Sequence, residues 1–279
     1  MTDHPRIPLA GVIGSPIAHS RSPRLHAHWL ARLGIRGHYI PMDVRQADLP
    51  EVLRALPKAG FVGCNVTIPH KEAVLALADV VTDRAALIGA ANTLIFRKDG
   101  KLHADNTDGY GFVANLKQHV PDWTGAEGPV AIFGAGGASR AVIASFLELG
   151  SPEIRIANRT RARAEALRAE FGARIVVYDW VQAGNMLEDA TTVVNATALG
   201  MTGKPDLRVP LDALRRDAVV TDLVYTPLRT RLLEEAREAG CRTVDGLGML
   251  IHQAAPGFER WFGQRPPVDD AARQAVLGE

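Results

Sequence analysis

The sequence predicts an α/β protein of two domains, the second built on a doubly wound parallel sheet. Two observations favour this class. Short apolar segments of strand character alternate with helical segments along nearly all of the 279 residues. A glycine-rich turn at Gly134, Gly136 and Gly137 joins the strand predicted at residues 129–133 to a helix predicted at residues 138–149. Because the chain is longer than one average domain, two domains are expected.

The composition excludes several classes of protein. Hydrophobic residues make up 47% and charged residues 23%, which is ordinary for a globular protein with a full core. The formal net charge of +1 argues against a nucleic-acid or general polyanion binder. Cys64 and Cys241 lie too far apart for a disulfide framework or a cysteine metal site, so a reduced, cytoplasmic location is expected. We find no apolar run long enough for a membrane span and no secretory leader.

The first half of the chain alternates between strands and helices. Strands are predicted at residues 9–13, 38–42, 61–66, 91–96 and 101–104, and helices at residues 22–33, 48–56, 82–87 and 108–120, with a further helix start at 67–71. Residues 121–128, between a proline and a glycine, read as a linker. The first domain should therefore end shortly before that segment.

Two serines precede the first helix. Ser22 followed by Pro23 has the form of a helix N-cap with proline at the first helical position, which favours a capping role. Ser20 lies two residues upstream, and two hydroxyls near a helix start also form a fair carboxylate site. Both interpretations of Ser22 stay open.

Polar residues collect where predicted strands end. Asn65, Thr67 and Lys71 follow the third strand, at the usual place for ligands in an open α/β sheet. Lys71 is either a solvated surface charge or a functional amine in the first turn of its helix, where the helix dipole does not explain a cation. Asp108 either caps the helix that it begins or forms a proton-handling pair with the lysine.

The glycine-rich turn begins a second series of strands. They are predicted at residues 129–133, 154–157, 174–177, 192–195, 219–223 and 242–244, as in a doubly wound nucleotide-binding sheet. The turn allows main-chain N–H groups at a helix start to approach a pyrophosphate, although a purely structural turn is the alternative. Ser139 replaces the last glycine of the usual motif and is small enough for close packing.

The end of the second strand of that series predicts the cofactor. An NAD site carries an acidic residue about 20 positions past the glycines, whereas this chain reads NRTRAR at 158–163. Arg159 and Arg163 bracket the first turn of a helix that Thr160 can cap, and guanidinium groups match phosphate oxygens. We therefore predict that the cofactor is NADP. The alternative is that these arginines are solvent-exposed charges on an arginine-rich helix and bind no cofactor.

The last functional candidates come from two loops and one predicted helix. Residues 195–201 and 222–227 end the fourth and fifth strands of the sheet and should border the cofactor site. Gln253 lies one helical turn beyond Met249 and Leu250, where its amide either faces the ligand or serves as a buried structural group.

Together these stretches resemble the shikimate dehydrogenase family over nearly the whole chain. The resemblance rests on eight motifs in order: GSPIAHSRSPRLH at 14–26, NVTIPHK at 65–71, GAANT at 89–93, NTDGYG at 106–111, GAGGASR at 134–140, NRT at 158–160, NAT at 195–197 and DGLGMLIHQ at 245–253. It implies a substrate-binding and catalytic domain at residues 1–112, an NADP-binding Rossmann domain at 113–245, and a helical segment at 246–279 that packs back on the first domain.

The resemblance also implies a reaction and a set of roles. The family reduces 3-dehydroshikimate to shikimate with NADPH, in the pathway to the aromatic amino acids. Lys71 and Asp108 would be the catalytic pair. The implied substrate-binding residues are Ser20, Ser22, Asn65, Thr67, Lys71, Asn92, Asp108, Tyr225 and Gln253. The implied cofactor-binding residues are Gly134, Gly136, Gly137, Ala138, Asn158, Arg159, Thr160, Arg163, Leu223 and Gly246.

Three other functions compete with this one. A quinate/shikimate dehydrogenase differs in whether it oxidises quinate and accepts NAD. A non-catalytic NADP sensor would be expected to lose Lys71 and Asp108, and both are present. A metal-dependent hydrolase is disfavoured because the 9 histidines show no ligand spacing, and no metal is expected. The predicted partner is a small molecule, with no nucleic acid or membrane, and the chain is expected to be a monomer or a homodimer.

Overall fold

The computed structural model describes residues 7–278, which form two compact units. The first unit comprises residues 7–111 together with residues 250–278, and the second comprises Phe112–Met249. Within the described residues, none of the helices has the length and apolar character needed to cross a membrane. Nor do any three metal-ligating side chains among them form a group that could hold an ion.

The first unit is built on a mixed six-stranded sheet. Its strands are β1 (Leu9–Gly14), β2 (His38–Asp43), β3 (Gly63–Val66), β4 (Val80–Val81), β5 (Thr93–Phe96) and β6 (Leu102–Asp105), in the spatial order β2-β1-β3-β5-β6-β4. Its helices are α1 (Ser22–Arg32), α2 (Leu49–Ala55), α3 (Asp83–Ile88) and the start of α4 (Asp108–His119), with short 3₁₀ segments at Leu56–Ala59 and Ala73–Leu77. Strand β5 runs antiparallel to both β3 and β6.

The second unit contains a six-stranded parallel sheet. Its strands are β7 (Val130–Phe133), β8 (Ile154–Ala157), β9 (Ile175–Tyr178), β10 (Thr192–Asn195), β11 (Val219–Asp222) and β12 (Arg242–Val244), in the order β12-β11-β10-β7-β8-β9. Its helices are α5 (Gly137–Leu149), α6 (Arg161–Phe171) and α7 (Arg231–Glu238), with a 3₁₀ segment at Trp180–Leu187. The sequence-based prediction of a doubly wound sheet is confirmed.

The core of the second unit lies on both faces of its sheet. Val130 and Ile132 of β7 belong to one apolar cluster, whereas Ala131 and Phe133 belong to another. Successive strand side chains point to opposite faces, so a strand covered on both sides reads as a continuous apolar run. Residues 121–128 are not a free linker, because Trp123 is buried in the first of these clusters and donates from Nε1 to Thr192 Oγ1 at 3.0 Å.

The C-terminal segment consists of α8 (Leu247–Phe262) and α9 (Asp270–Leu277). From Leu250 onward it contributes to the core of the first unit. Trp261 Nε1 donates to the carbonyl of Leu94 at 3.0 Å, and Trp29 Nε1 of α1 donates to the carbonyl of Pro267 at 2.9 Å. These buried indole contacts attach the end of the chain to the sheet and to the first helix of the first unit.

Candidate active site

The register of the first sheet brings distant residues together at one edge. Asn65 of β3 pairs with Thr93 of β5, and Thr93 pairs with Asp105 of β6. Because β5 runs antiparallel to its neighbours, its amino end lies beside the carboxyl ends of β3 and β6. Residues that precede β5 and residues that follow β3 and β6 therefore meet in space.

Lys71, Asp108 and Asn92 form the centre of this edge. Lys71 Nζ lies 2.5 Å from Asp108 Oδ2, and Asn92 Nδ2 donates to Asp108 Oδ1 at 2.9 Å. The lysine side chain is 15% exposed and the aspartate side chain 5%. Each carboxylate oxygen thus has a donor, while the ammonium has two further protons for an incoming acceptor. An accessible amine held by a buried carboxylate can donate a proton where negative charge develops.

Asn92 connects that pair to Gln253 of α8. Its Nδ2 lies 2.8 Å from Gln253 Oε1, and its Oδ1 accepts from the amide of Thr107 at 2.8 Å. The hydroxyl of Thr107 in turn donates to the carbonyl of Gln253 at 2.8 Å. All three side chains are buried, so this network fixes the orientation of both amides. Thr107 was not a predicted site residue, although it lies inside the NTDGYG motif.

The start of α4 shows why Asp108 is available for Lys71. Asn106 Oδ1 accepts from the amide of Asp108 at 2.9 Å, so the asparagine supplies the side-chain hydrogen bond at the helix start. The Asp108 carboxylate is directed instead to Lys71 and Asn92. Of the two interpretations left open by the sequence, the structure supports the charged pair rather than a helix cap.

Lys71 itself occupies a different local structure from the one predicted. It lies in a turn before the 3₁₀ segment Ala73–Leu77 and not in the first turn of an α-helix. The turn is held by two long-range contacts: Ala91 donates its amide to the carbonyl of Lys71 at 2.8 Å, and the neighbouring His70 ring nitrogen Nε2 contacts the carbonyl of Val44 at 2.7 Å. Tertiary contacts therefore position this amine.

The predicted hydroxyl residues lie on elements that flank β1. The expected capping role of Ser22 is wrong: the N-cap of α1 is Arg21, without a side-chain capping bond, and Ser22 is the first helical residue. Ser20 Oγ accepts from the amide of Ser22 at 3.4 Å. Thr67 follows β3, donates its amide to the carbonyl of Ile13 at 2.9 Å, and is partly exposed. Each hydroxyl retains donor or acceptor capacity for a ligand.

Tyr39 of β2 orients the side chain of Asn65 by a hydrogen bond. Its hydroxyl donates to Asn65 Oδ1 at 2.7 Å, and Asn65 Nδ2 donates to the carbonyl of Asn92 at 3.1 Å. Burial raises the pKa of Tyr39 well above its ordinary value, so the phenol stays a neutral donor. No local pattern indicated this role, because a tyrosine in a half-buried strand is usually a packing residue.

Tyr39→Phe should lower the free energy of unfolding by about 1 to 2 kcal/mol, because Asn65 Oδ1 loses its buried donor. Urea denaturation would measure this loss. Tyr178→Phe in β9 is the matched control, since Tyr178 is partly exposed and its replacement should change stability by less than about 0.5 kcal/mol. Equal effects of the two substitutions would show that the Tyr39 hydroxyl contributes nothing specific.

The glycine-rich turn of the second unit has the geometry of a phosphate cradle. Gly134 has φ +110°, and a Cβ at this position would lie 3.0 Å from the carbonyl oxygen of Ala196. A Cβ on Gly136 would meet nothing within 4 Å, which leaves open space before the first turn of α5. Gly137 and Ala138 begin that helix and are partly exposed, so their N–H groups can face a bound anion.

The arginines after β8 divide into paired and unpaired groups. Arg161 donates to Asp179 at 2.7 Å and to Glu165 at 2.8 Å. Arg159 and Arg163 are exposed, and within residues 7–278 neither forms an ion pair with a carboxylate. Thr160 is the N-cap of α6 but makes no side-chain capping bond, and Asn158 Nδ2 donates to its carbonyl at 2.9 Å. Two unneutralised guanidinium groups therefore flank the helix start.

The carboxyl ends of β10 and β11 carry the remaining predicted residues. Leu223 donates its amide to the carbonyl of Asn195 at 2.9 Å, and a Cβ on Gly246 would lie 2.5 Å from the carbonyl oxygen of Leu223. Only glycine allows such a close approach of the two backbones. Tyr225 follows in the same loop and is partly exposed.

Asp222 is the last residue of β11, and its side chain is fully buried. Burial raises the pKa of its carboxyl group to about 6. Its ionised form therefore costs stability above pH 6, and this cost disappears as the pH falls toward the ordinary value of 3.8. We expect the stability of the wild type relative to Asp222→Asn to rise by about 2 kcal/mol between pH 7 and pH 4. Urea denaturation of both proteins across this range measures it, and a difference independent of pH would contradict it.

Three family descriptions match successive parts of the chain. Residues 12–94 match the "Shikimate dehydrogenase substrate binding domain", residues 116–201 match "Shikimate / quinate 5-dehydrogenase", and residues 246–277 match the "Shikimate 5'-dehydrogenase C-terminal domain". These ranges contain most of the residues described above.

Individual relatives agree with that assignment. The chain is 76% identical to the shikimate dehydrogenase (NADP(+)) of Cereibacter sphaeroides strain ATCC 17025, over 99% of each chain. It is similar to the crystal structure of shikimate 5-dehydrogenase from Thermus thermophilus in complex with NADP(H) and shikimate, with 39% identity, a TM-score of 0.85, and coverage of 97% of this chain and 100% of that one. Quinate dehydrogenase from Corynebacterium glutamicum in complex with NAD aligns with a TM-score of 0.89 at 33% identity, covering 98% and 99%. This chain, with its Lys71–Asp108 pair and its doubly wound second sheet, belongs to the shikimate dehydrogenase family.

Proposed function

We propose that this chain is an NADP-dependent shikimate dehydrogenase, which reversibly reduces 3-dehydroshikimate to shikimate in the biosynthesis of aromatic amino acids. The observation that carries the proposal is the Lys71–Asp108 ion pair, braced by Asn92, in a chain that matches NADP(+)-dependent shikimate dehydrogenases over its full length. An oxidoreductase of this type needs a proton donor beside the carbonyl that receives a hydride.

The catalytic pair manages the proton. NADPH, when bound, supplies the hydride that converts the substrate ketone to an alkoxide. Lys71 donates a proton to that oxygen as the charge forms, and Asp108 holds the ammonium in place from a nearly buried position. In the reverse direction, the lysine accepts the proton of the shikimate hydroxyl. The buried hydrogen bond that Asn92 donates to Asp108 keeps the aspartate oriented in both directions of the reaction.

Polar side chains would hold the substrate. We assign it to Ser20, Ser22, Asn65, Thr67, Lys71, Asn92, Asp108, Tyr225 and Gln253. The two serines and the tyrosine would bind the carboxylate. Hydroxyl and amide groups suit the ring hydroxyls of the substrate because they both donate and accept hydrogen bonds. The orientation of Asn92 by Gln253 and Thr107 supports such a role.

NADP is assigned to the second unit, whose residues fit its phosphates. Gly134, Gly136, Gly137 and Ala138 would hold the pyrophosphate, Asn158, Arg159, Thr160 and Arg163 the 2′-phosphate, and Leu223 and Gly246 the nicotinamide. The exposed guanidinium groups of Arg159 and Arg163 lack carboxylate partners in the described part of the chain, which supports NADP over NAD. An acidic group at this position would instead favour the 2′-hydroxyl of NAD.

The cysteines bear on the location of the chain. We assign the chain to the cytoplasm, since Cys64 and Cys241 are both free and buried. A monomer or a homodimer is expected, with no nucleic-acid or membrane partner. Sedimentation at several protein concentrations would distinguish the two states of assembly.

One assay tests the function. Purified chain is mixed with shikimate and NADP, and formation of NADPH is followed by its absorbance, with NAD and quinate in parallel reactions. We expect rapid turnover of shikimate with NADP and much slower turnover with NAD. A quinate dehydrogenase activity, suggested by the similar Corynebacterium glutamicum enzyme, would appear as equal or faster oxidation of quinate. Absence of turnover with every combination would contradict the proposal.

A further inference from the structure

The carboxylate of Asp222 joins three segments of the second unit. Its Oδ1 accepts from Asn195 Nδ2 and from the amide of Val224, both at 2.9 Å, and its Oδ2 accepts from Thr230 Oγ1 at 2.7 Å. These donors lie at the end of β10, in the loop after β11, and immediately before α7. This one side chain therefore holds the three segments at fixed distances from one another.

The hydrogen-bond donors around Asp222 are unusual for a carboxylate that stabilises a fold. All three are neutral, and the side chain is fully buried. Ionising a carboxyl group in such surroundings is costly, which is why its pKa is raised. Since the ionised carboxyl group costs stability, we expect Asp222 to act through the positions in which it holds the loops.

The loop in question carries two residues to which we assign ligand contacts. Leu223 and Tyr225 lie on either side of Val224, whose amide is bound by Asp222. The Leu223 amide is bound to Asn195, whose Nδ2 also donates to the carbonyl of Leu199 at 2.9 Å. Displacement of Asp222 would thus release the 223–226 loop and loosen the loop after β10 together.

We propose that Asp222 is a positioning residue, which fixes the 223–226 loop so that Leu223 and Tyr225 hold nicotinamide and substrate in reactive alignment. This inference rests on the proposed function. The role is geometric: the carboxylate acts as an acceptor of three hydrogen bonds and touches neither ligand. A displacement of about 1 Å at such a site can reduce the rate about 100-fold.

Thr230→Val tests the role because it removes one donor while keeping the side-chain volume. We expect kcat/KM for shikimate to fall about tenfold, amide hydrogen exchange in the 223–226 loop to become faster, and Thr230→Ser to retain the wild-type values. The matched control is Thr192→Val, which removes a buried hydroxyl that accepts from Trp123 at the amino end of β10. The control should lose stability but keep its kcat/KM and its loop exchange.

Two substitutions at Asp222 distinguish a role of its hydrogen bonds from a role of its negative charge. Asp222→Ala removes the acceptor and should reduce kcat/KM about 100-fold. Asp222→Asn should recover most of that loss, because its amide oxygen can still accept from Val224 and Asn195 while the Thr230 hydroxyl turns to accept from the amide.

The outcomes distinguish this inference from the proposed function. If wild type does not turn over shikimate, the proposed function fails, and the exchange measurement still tests the loop. If wild type is active but Thr230→Val and Thr192→Val have the same kcat/KM and the same exchange, Asp222 is merely structural. If Asp222→Asn is as inactive as Asp222→Ala, the charge and not the geometry is required. Either of the last two results would overturn the inference.

Discussion

Lys71→Met is expected to lower kcat for shikimate oxidation about 1,000-fold, because the variant has no group to exchange a proton with the substrate oxygen. The side chain keeps its length and loses its charge. KM should change far less than kcat, since the proton is needed in the transition state rather than for binding. Steady-state kinetics with NADP measure both constants.

The controls for this variant must account for Asp108, whose carboxylate is left buried without its cation. Loss of one partner of a buried ion pair is destabilising by about 3 to 5 kcal/mol. Lys71→Met with Asp108→Asn removes both charges and should recover stability without recovering turnover. Lys101→Met, at an exposed lysine of the same unit, should resemble wild type. A Lys71→Met enzyme with wild-type kcat would remove the amine from the mechanism.

Replacing both Arg159 and Arg163 by glutamine is expected to raise KM for NADP about 100-fold and to leave KM for NAD almost unchanged. Hydrogen bonds to charged groups contribute about 1.5 to 3 kcal/mol each, and only NADP carries the 2′-phosphate. The kcat with saturating NADP should stay close to that of wild type. Initial rates at varied concentrations of each cofactor test this result.

Arg168→Gln provides the matched control, because Arg168 is an exposed arginine of the same helix α6 at its other end. It should leave both KM values unchanged. If the double variant raises KM for NAD and NADP by the same factor, the two arginines do not recognise the 2′-phosphate. The preference for NADP would then require another explanation.

The second unit was the part of the fold best predicted from sequence. The predicted strands at 154–157, 192–195 and 242–244 have the observed limits. Parallel strands buried on both faces appear as short apolar runs, and here glycine and helix-start residues follow them at the expected places. The glycine-rich turn and the arginines at 159 and 163 could be identified as candidates because each requires only a local pattern.

The region between β3 and β5 was predicted less well. Helix α3 lies close to its predicted limits, but the alanines and leucines before it also favour a helix, and there the structure has the 3₁₀ segment Ala73–Leu77, followed by the two-residue strand β4. Strand β4 pairs with β6, which lies some twenty residues downstream. A strand this short leaves no periodic signal, and long-range contacts outweigh helix propensity.

The sequence by itself determined the fold class, the family resemblance and the candidate catalytic and binding residues. These follow from local patterns: apolar runs, glycines at a turn, and basic rather than acidic residues after β8. Only the tertiary structure decided which polar groups act together. Asn92, Asp108 and Gln253 meet because β5 runs antiparallel between β3 and β6 and because α8 returns to the first unit. The supporting roles of Tyr39 and Asp222 likewise depend on hydrogen bonds between segments remote in sequence, for which no local pattern exists.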